Sequence, residues 1–92
     1  MDPLVTAISR IIKEQQSIIG PVALDQAKKV NGLQVSSVDD VKITGNKRQV
    51  LGSLVDTYAK LFGKASIAVC KEAFEPMADK IPTGEIPDVL KN

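Results

Sequence analysis

The chain has 92 residues, 43% of them hydrophobic, with Tyr58, Phe62 and Phe74 its aromatics and twelve basic against eleven acidic side chains for a formal charge of +1. A chain of this length makes one domain and buries only roughly 60–65% of its unfolded surface, so its core must be aliphatic and association with a partner would add to a small margin. Near-neutrality excludes a chain-wide field for nucleic acid or anionic lipid, and the lack of histidine removes imidazole as base, proton shuttle and metal ligand.

Cys70 has no second cysteine to pair with, which fits a reducing compartment. No apolar run approaches the roughly 20 residues that span a bilayer. The first residues carry Asp2 rather than a basic patch leading into a signal peptide, so a cytoplasmic location is expected.

Met1-Asp2-Pro3 reads as a helix start, with Asp2 capping free amides and Pro3 at the first helical position. Leu4, Ile8, Ile11, Ile12, Ile18 and Ile19 then recur at helical spacing, which predicts a helix from about Pro3 to Ile19. Gln15 falls on its apolar face, as a boundary residue or as a buried amide in need of a partner. Gly20-Pro21 ends this helix, because proline pushes its predecessor out of the α region and cannot continue a helix without losing a hydrogen bond. A second helix should restart at Pro21 and stop at Asn31-Gly32.

From Leu33 to Thr44 two readings stay open. The alternation in Leu33-Gln34-Val35 and Val41-Lys42-Ile43 permits a β-hairpin. The other reading is an extended crossover with one helical turn capped by Ser37. Thr44-Gly45-Asn46 supplies turn and cap residues for a third helix, whose stripe is Val50, Leu51, Leu54, Val55, Tyr58, Leu61 and Phe62. Gly63 lacks a following proline, so it either breaks the helix or lets the fourth continue from the third with a kink. Its Ala65, Ile67, Ala68, Val69, Cys70, Ala73, Phe74 and Met77 are apolar on more than one side, which suits a central element or an interface. Pro76, Pro82 and Pro87 then punctuate a frayed end and an extended tail over 81–92, with Ile81, Ile86, Val89 and Leu90 available to dock it.

A shift of 43 residues lays Gly20 on Gly63 and brings the flanks into step: Ile8, Ile11 and Ile12 on Leu51, Leu54 and Val55, and Val22, Leu24 and Ala27 on Ala65, Ile67 and Cys70. The expected fold is therefore mainly α, a single domain over 1–80 made of two helix-break-helix units, about 4–32 and 47–75, joined by the linker. Gly20, Pro21 and Gly63 are its structural turns.

Catalysis has no foundation in the sequence: no Ser-His or Cys-His pair, no metal-ligand cluster and no glycine-rich phosphate loop. No cofactor or metal is expected. Asp39-Asp40 lacks the spacing of a calcium loop and reads as a solvated turn, and Cys70 among apolar neighbours reads as an inert core thiol. The expected role is a non-enzymatic protein–protein interaction module, homodimeric, in a cytoplasmic regulatory or signalling system. Tyr58, Phe62, Ile67, Val69 and Phe74 are its expected contacts. The alternative is a small DNA-binding regulator with a degenerate helix-turn-helix around Gly63 and a basic cluster of Lys42, Lys47 and Arg48. That motif fits poorly, since Lys64 and Glu72 stand where apolar residues belong.

Ile19-Gly20-Pro21-Val22-Ala23 resembles the IGP-hydrophobic-Ala turn of short helical modules appended to bacterial signalling proteins, including some kinases and response regulators. The resemblance covers about 25 residues around the first break, and Lys64 stands where a second copy would carry proline. It implies an association module in a regulatory protein and transfers no catalytic or ligand residue.

Overall fold

The computed structural model describes residues 2–91; Met1 of the expected helix start and Asn92 of the expected tail lie outside the described residues. Four helices and a two-stranded antiparallel sheet follow one another as α1 (Pro3–Ile19), α2 (Val22–Ala27), β1 (Leu33–Ser37), β2 (Asp40–Ile43), α3 (Lys47–Phe62) and α4 (Lys64–Phe74). Asp2 caps α1 through a 2.9 Å bond from the Leu4 N–H, and Asn46 caps α3 through a 3.0 Å bond from the Gln49 N–H. The hairpin reading of the linker holds, with Leu33 opposite Ile43 and Val35 opposite Val41. Leu33 and Val41 face the core while Gln34 and Lys42 face water, as the alternation requires.

Gly32 closes the base of the hairpin. Its φ is +83°, its carbonyl accepts from the N–H groups of Thr44 and Gly45, and an added Cβ would stand 2.8 Å from Val50. Neither the backbone nor the space admits another residue there.

The core collects Leu4, Ala7, Ile8, Ile11 and Ile12 from α1 and Val50, Leu51, Leu54, Val55 and Tyr58 from α3. Both long helices pack against α4. The side that α4 buries is built of small groups, Ser66, Cys70 and Ala73, closed off by Phe74. Small side chains let two neighbours approach closely, so the small residues on this side of α4 belong to its central position, while Ala65 and Ala68 are exposed. The Arg10 Nε–H donates to the Ala73 carbonyl at 3.0 Å and places a cation at the C-terminal end of α4.

The structure decides between the two readings at Gly63 and corrects two expectations. α4 does not continue α3 through a kink: Gly63, at φ +84° and ψ −173°, ends one helix and starts the next. Gly20, at φ +79° and ψ −158°, has nearly the same geometry, so the break is a property of the glycine and not of the proline after it. The second helix is shorter than expected, and the turn from Lys28 into Gly32 is made without helix. The tail is not extended. After the 3-10 helix Glu75–Lys80, it forms 3-10 turns at Thr83–Glu85 and Asp88–Leu90, and these lie against α3 and α4. Ile81 and Leu90 are buried, and Pro87 rests on Gly52 of α3, where an added Cβ would come within 3.3 Å of the ring.

Candidate functional site

Each glycine break closes its helix in the same way. The Gly20 N–H donates to Gln16 O at 2.9 Å, and the Gly20 carbonyl accepts from the Ala23 N–H at 3.1 Å. The Gly63 N–H donates to Ala59 O at 2.8 Å, and its carbonyl accepts from the Ser66 N–H at 3.1 Å. Because the chain turns sharply at both points, the apolar residues beside each glycine leave the buried stripe. Ile18 is 62% exposed, Val22 41%, Leu61 52% and Phe62 37%.

The two breaks lie side by side. Ile18 and Ile19 at the end of α1 and Phe62 at the end of α3 line one groove of about 290 Å³, completed by Ala65 and Val69 of α4 with Gln15 and Ser66 at its base. None of its lining residues carries a charge.

Beneath this surface, two buried polar side chains cross between the halves of the chain. The Gln15 amide of α1 donates from Nε2 to the Ser66 carbonyl of α4 at 3.0 Å and to Cys70 Sγ at 3.4 Å. The Tyr58 O–H of α3 donates to the Ala23 carbonyl of α2 at 2.6 Å. Gln15 and Tyr58 are 43 residues apart in the chain, and so are their acceptors Ala23 and Ser66. Gln15 thus finds its partner, and no buried side-chain nitrogen or oxygen among the described residues is left without one.

Of the five expected contact residues, Phe62 and Val69 line the groove. Ile67 is half-buried and leans on the core. Tyr58 and Phe74 are core residues and not surface contacts. Tyr58 is fully enclosed because its hydroxyl reaches an acceptor inside the domain, and Phe74 because α4 turns that side toward the tail. Ile18 and Leu61 fall by periodicity on the buried stripe, yet both are exposed. The signal against that assignment was their position within two residues of a glycine, where a sharp turn carries the stripe away from the core.

Burial pushes the Cys70 thiol up to about 11, with the Gln15 hydrogen bond pulling weakly the other way, so the thiol stays protonated near neutrality. Burial likewise raises the Tyr58 phenol. Among the described residues no group of three or more His, Cys, Asp or Glu side chains is placed to hold a metal ion. Asp39 in the hairpin turn pairs with Lys13 at 2.6 Å. The basic cluster is divided: Lys47 pairs with Asp2 at 3.0 Å and Arg48 with Asp88 at 3.1 Å. Among the described residues no helix is long and apolar enough to cross a membrane.

No protein-family model, curated protein or solved structure matches the chain.

Proposed function

We propose that the chain is a non-enzymatic association module of a regulatory or signalling system. In this reading it consists of two copies of one helix-break-helix unit and pairs with a second copy of itself through the apolar surface at the two breaks. The observation that carries the reading is where apolar surface is left over: Ile18, Val22, Leu61 and Phe62, the large exposed hydrophobics of the described residues, all flank Gly20 or Gly63. Ile18 and Phe62 share one groove, and contiguous apolar exposure marks an interaction surface far more often than scattered single residues do.

The duplication is supported by the matching breaks and by the two crossing hydrogen bonds, since equivalent donors reach equivalent acceptors in the opposite unit. In this reading each unit covers the other's stripe, and the large exposed hydrophobics left for a partner are those at the breaks. The groove within that surface has no charged lining residue, so a two-fold contact that sets groove against groove brings no like charges together there. The resemblance of the first break to signalling modules points to the same class of role. The DNA-binding alternative is weakened because acidic neighbours already pair Lys47 and Arg48, two of its three basic residues.

The strength of pairing can be bounded. Eight half-exposed aliphatic and aromatic side chains across two copies would contribute about 1 kcal/mol each, roughly 8 kcal/mol in all. Association costs on the order of 4–15 kcal/mol, so the dimer should be weak and strongly concentration-dependent. Sedimentation over a wide concentration range should show monomer giving way to dimer. Ile18→Asp combined with Phe62→Asp should hold the protein monomeric with its helical circular dichroism intact, because both side chains are largely outside the core. A wild-type chain that stays monomeric at millimolar concentration, or a double variant that dimerises as well as wild type, would overturn the proposal.

A further inference from the structure

A second concavity lies away from the breaks, on the outer face of α1, and it has the properties of a small-molecule site. It measures about 570 Å³, is half open to solvent, and is bordered by α1, the hairpin and the 3-10 helix that follows α4. Ligand pockets run from roughly 300 to 1,000 Å³ and combine an apolar lining with a few placed polar groups. Here the apolar part is Val5, Val41 and Met77. Methionine is flexible and polarisable and adapts to differently shaped ligands.

The charges around the cleft decide what it would hold. Arg10 and Lys13 on α1 and Asp39, Asp40 and Lys42 on the hairpin are the charged residues that line it. The Lys13–Asp39 ion pair cancels one of each sign and fastens the hairpin turn to α1. Arg10 and Lys42 then remain against Asp40, an excess of one positive charge. The Arg10 guanidinium is already oriented, because its Nε–H is spent on the Ala73 carbonyl at 3.0 Å. Its two Nη groups make no hydrogen bond or ion pair among the described residues, and neither does the Lys42 ammonium. A guanidinium fixed through Nε keeps its outer edge free for an oxyanion, at little ordering cost when one arrives.

From this geometry we infer that the cleft between α1 and the hairpin binds a small organic carboxylate, its anionic end on Arg10 with Lys42 at the solvent rim adding positive charge, and its apolar body over Val5, Val41 and Met77. The site is separate from the break surface and does not depend on whether the chain dimerises.

Hexanoate and hexylamine, equal in length and opposite in charge, serve as probes, followed by amide and methyl nuclear magnetic resonance of the wild-type chain. Hexanoate should shift Val5, Thr6, Val41 and Met77 saturably in the millimolar range, and hexylamine should leave them unmoved. Lys42→Ala, at an exposed strand position, should weaken hexanoate several-fold. Arg10→Lys keeps the charge but loses the oriented fork, and it should weaken binding about tenfold. Equal shifts from both probes, unchanged affinity in both variants, or hexanoate shifts confined to Ile19, Phe62 and Val69 would each overturn the assignment.

Discussion

Gly63→Ala tests the geometry on which the whole arrangement depends. At φ +84° and ψ −173°, Gly63 occupies a region that only glycine enters freely. Forcing an L-residue there costs about 1–3 kcal/mol. An added Cβ would meet nothing within 4 Å, so no steric clash adds to that penalty. Alanine also restricts the unfolded chain and returns about 0.4–1 kcal/mol. The net loss should be about 1–2 kcal/mol, which in a domain of this size lowers the thermal midpoint by roughly 5–15 °C. Urea unfolding followed by circular dichroism should show a lower midpoint with an unchanged slope. Gly84→Ala is the control, since Gly84 has no positive φ and open space around it, and it should be nearly silent. D-alanine at position 63, introduced by chemical synthesis, should be at least as stable as wild type, because for its mirror-image chirality this conformation is ordinary extended backbone. If Gly63→Ala instead proved more stable than wild type, α3 and α4 would form one continuous helix, where alanine gains about 1 kcal/mol over glycine. The break surface would then not exist as described.

Two further outcomes follow from the buried and capped polar groups. Tyr58→Phe removes the O–H that meets the Ala23 carbonyl at 2.6 Å inside the core, and it should lower unfolding stability by about 1–2 kcal/mol without loss of helix content; an unchanged urea midpoint would mean that the bond contributes nothing. The Asp2 carboxyl is held below its ordinary value, first by the hydrogen bond from Lys47 and then by that from the Leu4 N–H. A depressed carboxyl contributes stability that is fully present above its unfolded pKa and is lost as the pH falls through the lower folded value. Asp2→Asn keeps a capping oxygen but removes the charge, so it should be less stable than wild type at neutral pH and converge with it in acid. A gap that persists undiminished in acid would refute the ion-pair origin.

The sequence by itself determined most of the local structure, because each signal there is a short-range one. Asp2-Pro3 and Gly20 bound α1 where the isoleucine spacing says they should, and Asn46 starts α3. Both glycines were identifiable as interruptions, and the alternation on either side of Ser36–Asp40 allowed the hairpin that forms. What the tertiary structure alone decided is which apolar residues are used inside. Tyr58 and Phe62 lie four apart on one helical stripe, yet one is enclosed and the other is 37% exposed. Periodicity records a face and not the point at which a turning chain carries that face off the core. The partner of Gln15 was beyond reach for the same reason: its acceptors, Ser66 and Cys70, are more than fifty residues away, and only the packing of α1 on α4 brings them together. The docked tail is a third case. Its scattered Ile81, Ile86, Val89 and Leu90 have no helical or strand period, and only the surface offered by α3 and α4 gives them something to bury against.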